Sequence, residues 1–154
     1  MHMTGAPASV LAIAVATGRI GYVYFQDGRP QHWGIARKAS KAPELATLQA
    51  AKWFATFRPK AVVTEKITAK CRKGGTARSV IEAIAATASE HELFDIAVVR
   101  QRTFRNKYLE AEAIAARFPE ILPWLPRRPR LWEPEPGNMI YFEAVALAVE
   151  VMDA

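Results

Sequence analysis

Three consecutive apolar segments near the start of the chain most constrain what it can fold into. The first covers 10–15 and ends in the small-residue turn Ala16–Gly18, the second covers 20–25 and leads to Asp27–Gly28, and the third begins near His32. Two apolar runs joined by an Asp-Gly pair are typical of a β-hairpin, because both residues tolerate the positive φ angles of a tight turn. The sequence therefore predicts a three-stranded antiparallel meander.

Helical and extended segments alternate after the meander. Apolar residues at helical spacing predict helices over 43–57, 79–92, 103–118 and 139–152. Short apolar runs predict strands over 60–67 and 94–99, and the proline-rich stretch 119–136 is predicted to be irregular. This order predicts an α/β fold: a mixed five-stranded sheet, with three antiparallel N-terminal strands and then parallel strands, covered by helices on both faces.

The composition bounds the class of protein. With 154 residues, 51% of them hydrophobic, the chain is predicted to form one domain over 9–154 after a disordered tail over 1–8, whose Met-His-Met opening resembles a cloning remnant. No apolar run is long enough to span a membrane, so no membrane partner is expected. Cys71 is the only cysteine, which excludes an internal disulfide and a thiolate metal cluster and fits a reducing cytoplasm.

Two glutamates occupy unusual positions in this pattern. Glu65 closes an apolar strand, and Glu143 lies on an otherwise apolar helix. Ionised carboxylates are rarely buried without a counter-charge, and two that converge favour a divalent cation with oxygen ligands, Mg²⁺ or Mn²⁺. The alternative is that each carboxylate lies at the solvent-exposed end or edge of its element. The residues alone leave both interpretations open.

Lysine and arginine residues gather in three stretches. One follows Glu65 and contains Lys66, Lys70, Arg72, Lys73 and Arg78. Another follows the strand at 94–99 and contains Arg100, Arg102, Arg105 and Lys107, and the third, in the proline-rich stretch, contains Arg127, Arg128 and Arg130. The formal net charge of +6 favours a polyanionic partner. The first two stretches begin at the carboxyl ends of predicted strands, as Glu65 does, so we expect them to contact phosphates; a generally solvated basic surface is the alternative.

Trp124 and Trp132 lie beside the arginines of the proline-rich stretch. We expect them to pack into the core of that segment. Stacking on nucleic-acid bases, or forming a surface for another protein, is the alternative.

Three short patterns, in the right order along the chain, resemble the RNase H-like superfamily and, within it, the RuvC-like Holliday junction resolvases. Ile13–Tyr22 matches a first strand with its small-residue turn and Gly-Tyr, Val62–Glu65 matches a strand that ends in Glu, and Phe142–Ala148 matches the acid and small residues of the last helix. The resemblance covers residues 9–152. It implies a Mg²⁺- or Mn²⁺-dependent endonuclease that acts on branched DNA such as Holliday junctions, works as a homodimer in DNA recombination and repair, and comes from a bacterium or phage.

The resemblance also assigns roles to individual residues. It implies that Glu65 and Glu143 are metal ligands, and that Glu135 replaces a further acid which the family places at Ile140. Lys107 resembles the lysine that such nucleases place near the scissile phosphate.

The family's first-strand Asp falls at Ala14, which has no ligand atom. In the two-metal chemistry that the resemblance implies, this Asp bridges both ions, so the chain as given is expected to be catalytically inactive. Ala14 is either an engineered substitution of Asp or the natural residue of a pseudo-nuclease.

Two other classes of function stay open at this stage. One is a non-catalytic module that binds nucleic acid with the same basic surface, where the partner is DNA, RNA or a hybrid. The other is an interaction domain that uses the proline- and tryptophan-rich stretch and binds no nucleic acid.

Overall fold

The predicted five-stranded mixed sheet is present in the computed structural model, which describes residues 7–69, 73–101 and 103–153. Strands β1 (Ser9–Ala16), β2 (Arg19–Gln26) and β3 (Arg29–Ala36) form the antiparallel meander. Strands β4 (Ala61–Glu65) and β5 (Phe94–Val98) are shorter than their predicted ranges and add in parallel beside β1. The strand order is β3-β2-β1-β4-β5, so β1 is the central strand.

The turn between β2 and β3 has the geometry that its sequence predicts. The φ angle is 51° at Asp27 and 78° at Gly28. These two consecutive left-handed residues give the turn a twist that matches the twist of the flanking strands. The amide of Asp27 also donates to the carbonyl of Ala8 at 2.7 Å, which fastens the turn to the residue before β1.

In the described part of the chain, four α-helices accompany the sheet: α1 (Pro43–Phe57), α2 (Gly75–Glu90), α3 (Lys107–Arg117) and α4 (Met139–Met152). Helices α1 and α4 match the predicted ranges, whereas α2 starts earlier than the predicted residue 79 and α3 starts later than the predicted residue 103. Helix α3 starts late because the side chain of Asn106 caps it, accepting hydrogen bonds from the amides of Tyr108 and Leu109 at 3.0 Å. None of the described helices is long and apolar enough to cross a membrane.

The stretch 119–136 is less irregular than predicted. Its first part, Pro119–Trp124, forms a 3₁₀ helix, and a second 3₁₀ turn, Lys38–Lys41, precedes α1. The rest of the stretch has no regular secondary structure up to the start of α4.

The two faces of the sheet are covered by different helices, as expected from the alternation of side chains along a strand. On β1, Val10, Ala12 and Ala14 pack with α3 and α4. Leu11, Ile13 and Val15 point the other way and pack with α1 and α2. Ala14 therefore faces α4, the helix that carries Glu143.

Helix α4 lies directly against β2 at Gly21, the residue paired with Ala14. A Cβ atom at Gly21 would lie 2.6 Å from Cγ2 of Ile140. Ile140 is fully buried, so the position at which the family has an acid is here an apolar packing contact. The absence of a side chain at Gly21 thus allows α4 to approach β2 closely beside Ala14.

Candidate active site at the carboxyl ends of β1 and β4

Position 14 and Glu65 lie at the same edge of the sheet. The parallel register pairs Ala12 with Val63, so the residues two further along each strand, Ala14 and Glu65, are neighbours on the same face. Ala14 is buried at 5% exposure, and the side chain of Glu65 is 19% exposed. The methyl group of Ala14 offers no oxygen, so the strands β1 and β4 together contribute one carboxylate here, where the resemblance implies two.

A lysine ammonium lies against Glu65. The Nζ atom of Lys73 donates to the carbonyl oxygen of Val15 at 2.8 Å and lies 3.6 Å from Oε1 of Glu65. Only 24% of the Lys73 side chain is exposed, so the pair is partly shielded from water and less screened than a surface pair. Lys73 therefore supplies a positive charge between the ends of β1 and β4 and ties the segment before α2 to β1.

Glu135 lies at this end of β1 between two further cations. Its Oε2 atom is 3.5 Å from a terminal nitrogen of Arg19, and its Oε1 atom is ion-paired with Nζ of Lys107. Arg19 pairs with Ala16, the last residue of β1, which places Glu135 beyond the carboxyl end of that strand. The sequence reasoning missed Arg19; the available signal was its position directly after the β1–β2 turn.

Glu143 lies on α4, on the same side as Ile140, because residues three apart on a helix share a face. Ile140 packs on Gly21, opposite Ala14, so Glu143 belongs to the side of α4 that faces the sheet. Its side chain is half-buried, and it makes no hydrogen bond or ion pair within the part of the chain that the structure describes. It is thus an unpaired carboxylate beside an otherwise apolar contact.

The donor set of this chain does not fit a divalent metal ion. Within residues 7–69, 73–101 and 103–153, no group of three or more His, Cys, Asp or Glu residues is arranged to hold one. Ala14 offers no oxygen, and the carboxylates of Glu65 and Glu135 already have cationic partners. That Glu65, Glu135 and Glu143 are metal ligands stays a prediction, and the chain as given lacks the shared oxygen ligand that two-metal chemistry requires.

The other basic residues differ in how accessible they are. Lys66 and Arg105 are exposed, whereas Arg78 is half-buried and donates to the carbonyl of Lys73 at 3.2 Å. Arg100 is ion-paired with Glu110, and only 10% of its side chain is exposed. The predicted phosphate contacts Lys70, Arg72 and Arg102 lie outside the described residues.

The two tryptophans of the proline-rich stretch have different environments. Trp124 packs edge-on against Trp33 at a centroid distance of 5.0 Å, but it stays 36% exposed, so the predicted core role is not confirmed for this ring. Trp132 is 76% exposed, so the prediction that it packs into a core is wrong. The reason is a tight turn at 130–133, closed by the hydrogen bond from the amide of Glu133 to the carbonyl of Arg130, in which this ring stays in contact with solvent.

These strands and helices define the RuvC-like form of the RNase H fold, as the sequence resemblance implies. No protein-family model matches the chain, and no curated protein is similar to it in sequence.

Among solved structures, the chain is similar to Thermus thermophilus RuvC, with 17% identity, a TM-score of 0.60, and coverage of 92% of this chain and 91% of that one. The fowlpox virus Holliday junction resolvase matches with 10% identity, a TM-score of 0.62, and coverage of 94% and 98%. The yeast mitochondrial Holliday junction resolvase Ydc2 matches with 13% identity, a TM-score of 0.57, and coverage of 96% and 80%. Identities this low show a shared fold and nothing finer.

Proposed function

We propose that this chain binds branched DNA, such as a Holliday junction, at the carboxyl ends of β1 and β4 without cutting it. The observation that carries the proposal is the gathering of Arg19, Lys73 and Lys107 around this edge of a RuvC-like fold. Structures of Thermus thermophilus RuvC and of the fowlpox virus resolvase in complex with Holliday junction DNA are also similar to this chain, with TM-scores of 0.59 and 0.60.

The cations of this edge suit phosphate groups. Arg19 and Lys107 both lie against the carboxylate of Glu135, so this place already accommodates an anion, and a phosphate would bind there in exchange for that carboxylate. The terminal nitrogens of Arg19 and the ammonium of Lys107 are therefore the donors that this place offers. Each phosphate neutralised adds about −0.9 to the slope of log affinity against log salt, so we expect binding to weaken steeply as salt rises.

The parent enzyme, in this proposal, is a chain with Asp in place of Ala14. The carboxylate of that Asp would restore the missing oxygen beside Glu65, and Glu65, Glu143 and Glu135 would then be the remaining ligands for Mg²⁺ or Mn²⁺. Such a chain would be an endonuclease of the Holliday junction resolvase type that works as a homodimer, because a four-way junction presents two symmetric strands.

The test compares the chain with its Ala14→Asp variant on a labelled four-way junction and on a linear duplex of matching sequence. Each is incubated with Mg²⁺ and with EDTA, and Ala14→Asn is the control that adds the same volume without the charge. Cuts in the junction by the Asp variant alone, abolished by EDTA, would support a resolvase whose present form is inactive. Absence of DNA binding by both chains would refute the proposal.

A second candidate function is a natural pseudo-nuclease that reads DNA structure. The Lys73–Glu65 contact favours it, because a built-in ammonium already satisfies the carboxylate that a metal would need. In the same experiment, junction-selective binding by both chains with no cleavage by either would support this function over the first.

A further inference from the structure

The most exposed apolar side chains of the proline-rich stretch lie together at one turn. Leu131 is fully exposed, and Trp132 is 76% exposed. Both are next to Arg130, and Arg127 and Arg128 precede them in the chain. What distinguishes this pair from the other exposed apolar side chains is that three arginines surround it within five positions of the chain.

The turn that presents these side chains is held by specific hydrogen bonds. The amide of Glu133 donates to the carbonyl of Arg130 at 3.0 Å, and the Glu133 carboxylate accepts from the amide of Arg130 at 2.8 Å. The guanidinium of Arg130 lies over the ring of Trp132, 5.7 Å from its centroid. The exposure of the ring is therefore a property of a structured turn, and the only acid in 127–133 is turned back onto its own backbone.

The turn is also close to the candidate active site. Trp132 precedes Glu135 by three residues, so their Cα atoms are at most about 11 Å apart. Glu135 itself lies between Arg19 and Lys107 at the carboxyl end of β1. The intervening Pro134 limits the conformations of this short connection. The Trp132 ring is therefore close enough to the basic edge for one DNA strand to contact both.

We propose that Leu131 and Trp132 form a stacking site for an unstacked DNA base next to the phosphate-binding edge. The inference rests on the proposed function and deepens it, because such a base is available at a branch point or in a single strand but not inside a linear duplex. Trp132 offers a flat, electron-rich face, and Arg130 on the other side of its ring adds positive charge for the neighbouring phosphate. A protein partner fits less well, because two side chains supply only a small part of the roughly 800 Å² per partner that a stable interface buries.

The test measures binding of a four-way junction, a single strand and a linear duplex by fluorescence anisotropy. Stacking on one aromatic side chain strengthens binding by about 5- to 150-fold, so Trp132→Ala should weaken binding of the junction and the single strand by a factor in this range. Binding of the duplex should change less than twofold, and Trp132→Phe, which keeps an aromatic face, should recover most of the affinity. A 2-aminopurine at the branch point should be quenched by the unmodified chain and not by Trp132→Ala.

Phe94→Ala is the matched control. Phe94 is an aromatic residue with 74% exposure at the start of β5, the opposite end of the sheet from Glu65. If the unmodified chain binds the junction and Trp132→Ala binds it as well as Phe94→Ala does, the stacking site is refuted while the proposed function stands. If the unmodified chain binds none of the three DNAs, the proposed function fails and the stacking site fails with it.

Discussion

Replacing Ala14 with Asp should change stability as well as activity, and the size of the change follows from the site. The new carboxylate would lie at a position with 5% exposure, on the same face as Glu65, and both positions follow the paired Ala12 and Val63 by two residues. Lys73, 3.6 Å from Glu65, can neutralise only part of two negative charges. A buried polar group without a full set of partners costs about 1–3 kcal/mol. With about 2–4 °C of Tm per kcal/mol for a chain of this size, a cost of about 2 kcal/mol lowers the Tm by about 4–8 °C in EDTA.

Magnesium should reverse this loss in the Asp variant. A ligand at 100 times its Kd stabilises the folded state by about 2.7 kcal/mol, which is enough to raise the Tm back to that of the unmodified chain or above it. The unmodified chain should show no comparable response, because Ala14 contributes no oxygen. Thermal unfolding followed by circular dichroism, in EDTA and across a Mg²⁺ titration, measures both effects.

The control for this experiment is Ala14→Asn, which adds nearly the same volume but no charge. It should lose stability in EDTA without recovering in Mg²⁺. A Tm for Ala14→Asp that equals the value of the unmodified chain in EDTA and is insensitive to Mg²⁺ would refute the reasoning, since position 14 and Glu65 would then not share a site.

Two further predictions concern the packing and charges around the sheet. Gly21→Ala should lower the free energy of unfolding by about 1–3 kcal/mol, because the new Cβ would lie 2.6 Å from Cγ2 of Ile140. Urea denaturation measures this change. A variant as stable as the unmodified chain would show that α4 does not pack against β2 at this position. The bidentate hydrogen bonds from Arg29 lower the pKa of Glu120 below its ordinary 4.5, so this pair stabilises the fold above that pH and loses its contribution as the pH falls through the lowered pKa. Glu120→Gln should therefore cost up to about 1 kcal/mol at pH 7 and nothing at pH 2, since the pair is partly exposed; an equal cost at both pH values would contradict the assignment to charge.

Local signals in the sequence were sufficient for most of the fold. The Asp27–Gly28 turn, the range of α1 and the range of α4 are visible in the sequence because each depends on residues that are neighbours along the chain or one helical turn apart. The placement of Glu65 at a strand end followed from the same reasoning, since the apolar run before it is short and continuous. The mixed five-stranded sheet followed from the alternation of the elements, whereas the order of its strands was not predicted, because strand pairing joins residues far apart in the chain.

What the sequence did not reveal are contacts between distant segments. The ammonium of Lys73, from the segment before α2, donates to the carbonyl of Val15 on β1, and Glu135 meets Arg19 from a stretch without regular structure. No periodicity encodes either contact. The exposure of Trp132 was mispredicted for a related reason. A large aromatic side chain is typical of a core, but here the four-residue turn at 130–133 leaves the ring exposed.

The Lys73 ammonium makes the counter-charge of Glu65 independent of the ions in the solution around the protein. A metal ion can be stripped by a chelator or exchanged for another ion, but a side chain covalently attached to the chain cannot be removed in this way. A metal site also depends on the supply of its ion, whereas every copy of this chain is synthesised with its lysine in place. The chain thus carries its own fixed counter-ion for Glu65, so handling it in EDTA to silence contaminating nucleases leaves that charge in place.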